Sequence, residues 1–328
     1  MNNVPELKSY KKKFMKKILF SGCSFTWGES IELENSKYLE LLKSGDVTVK
    51  HDLGFYTGYQ HGHFHDIASE VNSIQHRIKY RYPTLVTNHF DCIGYVKEYN
   101  GGANAANFHM IQNFGKQKSK VDLVVVQLSH AVRDLEHFYY HKIFKDSFGL
   151  NHENIEAWNH TVLPMWMTFE KDKEFIHHLP KSVYKDCADK TNGKFTAENI
   201  MKIMETWEYD FDAWWKYHYE IVYEQYLQSI EAIEKNIAPV LLIGSWSDWD
   251  VTWEKEISDT LRIKLNKYKV RIKGYKDLYH YIKNTEGADY TCSSFNLPEY
   301  LQNHHPSIKT HQAIADDLIS EIEKRNLL

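Results

Sequence analysis

Five short apolar runs are spaced along the chain: Lys17 to Ser21, Tyr95 to Tyr99, Leu123 to Leu128, Val240 to Gly244 and Val270 to Lys273. Runs this short and this continuous predict strands buried on both faces. Between most of them the pattern changes to a helical period. In "YPTLVTNHFDCIG" a proline comes early, Leu85, Val86, His89 and Phe90 recur at helical spacing, and Gly94 stands where the helix is expected to stop. From Ile203 the positions Trp207, Phe211, Trp214, Val222, Tyr226, Ile230 and Ile233 follow a period of about 3.6 and predict one long amphipathic helix ending before Pro239.

Strand, helix, strand alternation predicts an α/β fold, a flavodoxin-like three-layer sandwich with a parallel sheet of about five strands. Two stretches depart from the rhythm. Residues 35–78 are rich in glycine, histidine and tyrosine, and residues 135–235 hold most of the tryptophans. Both read as insertions on the sheet framework. Residues 1–14 read as a polar extension preceding a single domain over 15–328.

Composition narrows the function classes. A chain of 328 residues with 42% hydrophobic positions can build one substantial core. The net charge of −4, with lysines dispersed apart from Lys11 to Lys17, leaves no basic excess for nucleic acid. Cys23, Cys92, Cys187 and Cys292 lack C-x-x-C spacing, which argues against a zinc knuckle or a disulfide framework and makes a reducing compartment the expectation. After "KKKFMKK" only Ile18, Leu19 and Phe20 precede Ser21 and Gly22, too short a core for a signal peptide. No apolar stretch approaches the ~20 residues that span a bilayer. A soluble, cytoplasmic protein without a membrane partner is expected.

Candidate chemistry begins at "SGCSFTWG". A serine after a strand and a glycine is either a helix N-cap or a nucleophile. "EYNGGANAAN" follows the second run with adjacent glycines and small residues, a composition that lets backbone N–H groups approach a ligand and form part of an oxyanion hole. Near the C-terminus His305 directly precedes Pro306, which is well placed to start the last helix. His304 is expected to be exposed, and His311 to pack beneath the site. "GSWSDWD" follows the fourth run, so Trp246 and Trp249 are candidates for touching a ligand. Arg133 is a candidate partner for an acidic substrate group or for Asp134 or Glu136. "HGHFHD", with His61, His63, His65 and Asp66, lacks a second ligand cluster and reads as a solvated loop, so no metal is assigned.

In this order the blocks resemble the SGNH (GDSL-like) hydrolase superfamily, over roughly residues 16–30, 82–107, 121–134 and 300–320. "GCSFTWG" is similar to its nucleophile block, "YPTLVTNHFDCIGYVKEYNGGANAAN" to its second block and "HHPSIKTHQAIA" to its final block. The third block, "VVVQLSHAVR", resembles versions found in phage and environmental sequences. The resemblance implies Ser24 as nucleophile, His305 as base, and oxyanion donors from Ser24, Gly102 and Asn104. It implies an acyl or acetyl esterase without a cofactor, acting on a small-molecule or glycan ester. Two departures stand out. Ser129 and His130 replace the usual glycine and asparagine, and Gln302, followed by Asn303, takes the place of the aspartate three residues before the histidine. An incomplete triad, a Ser–His dyad, an acyltransferase and a non-catalytic carbohydrate-binding or phage-particle protein all fit that pattern.

Overall fold

The computed structural model describes residues 15–23, 73–98, 104–116, 120–129, 147–149, 188–196, 211–244, 257–275 and 306–328, with isolated positions such as Thr26, Gly28, Ile31, Asp134, Leu278 and Tyr281. The expected N-terminal extension and most of both expected insertions lie outside them. The strands are β1 (Lys17–Gly22), β2 (Ile93–Glu98), β3 (Leu123–Gln127), β4 (Val240–Ile243) and β5 (Lys269–Val270). All pair in parallel, in the order β2-β1-β3-β4-β5. This is the strand order of flavodoxin-like doubly wound sheets.

The apolar runs are continuous because the sheet is covered on both faces. Leu19, Val124, Val126, Val240 and Leu242 join one core with Phe108 and Ile111 of α3 (Asn104–Lys116). The same core takes in Val222, Tyr226, Ile230 and Ile233 of α4 (Phe211–Asn236), and Leu261 and Leu265 of α5 (Asp259–Asn266). Ile18, Phe20, Val125 and Leu241 face the opposite core, with Tyr82 and Val86 of α2 (Tyr82–His89) and Ile314, Leu318 and Ile322 of α6 (Ile308–Lys324). Ile18, Leu19 and Phe20 are all fully buried, and each such side chain contributes about 1.5–3 kcal/mol. Helix α1 (Ser73–Tyr80) overlaps the end of the first expected insertion and packs on α2 and α6.

The expected start of the long helix at Ile203 lies outside the described residues, which take the helix up at Phe211. Two boundaries differ from the sequence expectation for a local reason. The fifth strand ends at Val270 because Lys273 (φ 50°) and Gly274 (φ 81°) reverse the chain and bring Tyr275 N back to Ile272 O at 2.9 Å. Two successive positive φ values suit a two-residue hairpin turn. Helix α2 stops at His89, with Asp91 in the left-handed region (φ 48°), and Gly94 sits inside β2 opposite Ile18.

Gly94 is required by close packing, not by a helix end. A Cβ there would lie 2.6 Å from Thr87 Cγ2, while Thr87 Oγ1 is held by a 3.1 Å bond to Thr84 O. Gly94→Ala is therefore expected to lower stability by about 1–3 kcal/mol. Thr87→Ser, which deletes Cγ2 and keeps the hydroxyl, should recover most of that loss in the double variant. Urea unfolding of the four proteins checks it, and additive losses would show that the two positions do not meet.

Candidate active site

Strands β1, β3 and β4 end at one edge of the sheet. Ser24, Gly102, His130, Arg133, Trp246, Trp249, Gln302, Asn303 and His305 lie outside the described residues, as do His61, His63, His65, Asp66 and His304. Asn104 and Ser129 are described. Cys23, Asp134, Gly244 and Pro306 are the described chain neighbours of several of the others.

The segment after β1 is anchored on β3 through Gln127. Its Oε1 accepts from Cys23 N (3.4 Å), Cys23 Sγ (3.0 Å) and Thr26 Oγ1 (3.3 Å). Thr26 N donates to Cys23 O at 3.0 Å, and Thr26 Oγ1 shares a 2.8 Å hydrogen bond with Tyr82 OH. Only glycine fits beneath this knot. A Cβ on Gly22 would lie 2.1 Å from Thr26 Oγ1 and 3.0 Å from Gln127 Oε1.

Tyr82 extends the path to the last helix. Its ring stacks on His311 (centroids 5.8 Å apart, planes 18°), and its N–H donates to His311 Nδ1 at 3.3 Å. An imidazole accepting at Nδ1 carries its proton on Nε2 when neutral. Burial raises the pKa of the Tyr82 hydroxyl, so it stays a neutral donor and acceptor. His311 is fully buried. Helix α6 starts from Ser307, whose side chain accepts from Thr310 N at 3.1 Å. Ser307 is two positions past His305 in the chain.

A second knot joins α3, the end of β3 and α4. Asp134 is 1% exposed, and its Oδ2 accepts from Asn104 N (3.1 Å), Asn104 Nδ2 (3.0 Å) and Tyr226 OH, while Oδ1 accepts from Ala105 N (2.8 Å). Asn104 Nδ2 also reaches Ser129 O (3.1 Å) and Tyr226 OH (2.9 Å), and its Oδ1 accepts from Ser129 N (2.6 Å) and Ser129 Oγ (3.2 Å). Two amide hydrogens thus face three protein acceptors, and the donors of Asn104 are committed inside the fold. Burial pushes the Asp134 carboxyl above its ordinary value, against the pull of the hydrogen bonds from Tyr226, Ala105 and Asn104. The pair Asp134 and Tyr226 also lines a cavity of about 170 Å³ between α3 and α4, with Phe108, His109 and Gln112.

Asp134, Tyr226, Gln127, Thr26 and Tyr82 carry these knots, and none was an expected site residue. Gln127 left a signal, as a polar residue within an apolar run. Asp134 left none, because its partners are 29 to 92 residues away. Among the described residues no group of three histidine, cysteine, aspartate or glutamate side chains is placed to hold a metal, and no helix is long and apolar enough to cross a membrane. No family model, no curated protein and no solved structure matches this chain.

Two buried side chains on the α3 side of the sheet stand apart from both knots. Ser21 Oγ and both amide atoms of Asn107 have no hydrogen-bond partner among the described residues although both are fully buried. An orphaned buried polar group costs about 1–3 kcal/mol. Asn107→Leu, close in volume, is expected to stabilise the protein by about that amount, read as a higher urea midpoint at constant slope. A lowered midpoint would show that the amide is contributing to the fold.

Proposed function

We propose that the chain is a serine-dependent ester hydrolase of the SGNH type, with Ser24 as nucleophile and His305 as base. In this reading Ser24 Oγ attacks the ester carbonyl carbon while His305 takes its proton. The N–H groups of Ser24 and Gly102 hold the resulting oxyanion. Collapse breaks the bond to the alkoxide, which leaves with the proton from His305. Water, deprotonated by the same imidazole, then releases the acid and restores the serine. No cofactor is assigned. Trp246 and Trp249 would lie along an acylated carbohydrate, and His130, Arg133, Gln302 and Asn303 would border the site.

The observation that carries the reading is the hydrogen-bonded path from Cys23 and Gln127 through Thr26 and Tyr82 to His311. It joins the chain neighbour of the proposed nucleophile to the first turns of the helix that follows the proposed base. Such a link supports the reading, because a two-residue acyl-transfer site requires the segments that carry its nucleophile and base to converge at the strand edge where doubly wound sheets bind ligands. Asn104, with its amide committed to Ser129, Asp134 and Tyr226, serves here to hold the start of α3 against the end of β3 and α4 rather than as a donor to substrate. Two features favour a non-catalytic carbohydrate-binding or particle protein instead: Ser129 and His130 where the third block usually has glycine and asparagine, and Gln302 where an SGNH triad has aspartate.

A fluorophosphonate probe is expected to label Ser24 in the wild-type protein. Ser24→Ala should abolish labelling and p-nitrophenyl acetate hydrolysis, and His305→Ala should slow both. Folded wild-type protein that neither labels nor hydrolyses would decide for the non-catalytic reading. Where the wild type does turn over, Gln302→Asp is expected to raise kcat about tenfold, or about 1.4 kcal/mol of barrier, by supplying a charge beside the imidazolium. An unchanged kcat would mean that the ring is already held and its charge already compensated.

A further inference from the structure

We propose that the cavity between α3 and α4 is a binding site for a small organic ammonium ion, held by the charge of Asp134, the aromatic walls of Phe108 and Tyr226, and neutral oxygen acceptors beside them. Such a site is independent of any chemistry at Ser24.

A buried carboxylate is ordinarily offset by a cation or a metal. Asp134 is 1% exposed, and no lysine or arginine among the described residues pairs with it. Its acceptor sites are filled by Asn104 N, Asn104 Nδ2, Ala105 N and Tyr226 OH, all of them uncharged donors. The hydrogen-bonding capacity of the carboxylate is spent on the fold, but its negative charge is not. The start of α3 offsets about half an elementary charge, and the remainder acts on whatever occupies the adjoining space. That space is the cavity, which Asp134 lines and to which no lysine or arginine contributes.

The shape sets the size and character of the occupant. At about 170 Å³ the cavity is close to the ~150 Å³ void that admits benzene in a protein core, so one ring or a short chain fits. Phe108 and Tyr226 line it with ring centroids 5.6 Å apart and planes inclined at 52°. Aromatic faces attract a cation within about 6 Å of the centroid and also cover an apolar body. Gln112 and Ser229 are half-buried and Gln225 is exposed, which places them at the mouth. Each has a side-chain oxygen able to accept from an ammonium N–H. A bare metal ion is a poor match, because the carboxylate is fully engaged and among the described residues no three histidine, cysteine, aspartate or glutamate side chains gather around one. An anion would meet Asp134 with no cation to offset it. An ammonium carrying a single ring or a short chain meets the charge, the aromatic walls and the oxygen-bearing mouth together.

The test titrates the full chain with benzylammonium chloride at neutral pH and constant ionic strength, read by backbone amide shifts of α3 and α4. Benzyl alcohol and benzoate serve as the neutral and anionic counterparts. Benzylammonium is expected to bind with a Kd of about 1 mM and to shift Phe108, Gln112 and Ser229. Benzyl alcohol should bind at least about tenfold more weakly, and benzoate more weakly still. Ser229→Phe, which fills the cavity from α4 without touching the cap on α3, should raise the Kd for benzylammonium at least about tenfold. Asp134→Asn should do the same where it folds, and Ser229→Phe decides the location where it does not. No binding of benzylammonium at about 20 mM overturns the proposal. Equal affinity for benzyl alcohol overturns it as well, since the charge of Asp134 would then select nothing. An unchanged Kd in Ser229→Phe, folded by its urea midpoint, overturns the placement in this cavity.

Discussion

The backbone N–H groups at the start of α2, α3 and α6 must be satisfied at one edge of the sheet, and much of the described architecture follows from how that is done. Each first turn leaves donors without intrahelical partners. For α2 the Tyr82 N–H goes to His311 Nδ1, and Pro83 has no N–H to satisfy. For α3 the Asp134 carboxylate takes two N–H groups. For α6 the cap is local, from Ser307. Two of the three caps therefore come from distant parts of the chain, and each distant cap is also a tertiary link. His311 ties α6 to α2, and Asp134, seven residues past the end of β3, ties its position in the chain to the start of α3.

That difference explains what could be read in the sequence. Strands buried on both faces announce themselves as continuous apolar runs, and Ile18 to Phe20 and Leu123 to Val126 are packed on both sides as their composition requires. The last helix is legible from Pro306, although Pro306 stands before the Ser307 cap and the helix itself runs from Ile308. The start of α3 was not legible as a linked element, since nothing within "GGANAAN" indicates that an aspartate 30 residues on will take its N–H groups. Asn104 likewise reads as a donor free for a ligand until Ser129, Asp134 and Tyr226 are seen around it. Tyr226 fits the apolar stripe of a long helix, and the stripe conceals what its hydroxyl does.

Glycine misled in an instructive way. Gly94 follows a helical pattern and so resembles a helix stop, yet the helix is ended by the left-handed backbone of Asp91, and Gly94 is needed where β2 passes beneath Thr87. Gly22 belongs to a motif quoted for its chemistry, and its structural reason is the same kind of crowding, against Thr26 and Gln127. In both places the missing Cβ records a close approach to a residue remote in sequence. A pattern of glycines shows where such an approach occurs but not which neighbour makes it.

The two hydrogen-bonded knots also impose a division of labour at the strand edge. Side chains that cap helices from a distance are consumed by that task, and His311 and Asp134 are each buried to perform it. Groups that act on a ligand must come from positions that the knots hold but do not occupy. Helix starts favour such an arrangement because their aligned peptide dipoles place positive potential at the same edge. The first-turn N–H groups of α2 and α3 are already met by the His311 imidazole and the Asp134 carboxylate. An apolar residue in place of Asp134 would leave the first turn of α3 without its acceptors, which is why a buried carboxylate is kept at a position where the core would otherwise favour an apolar side chain.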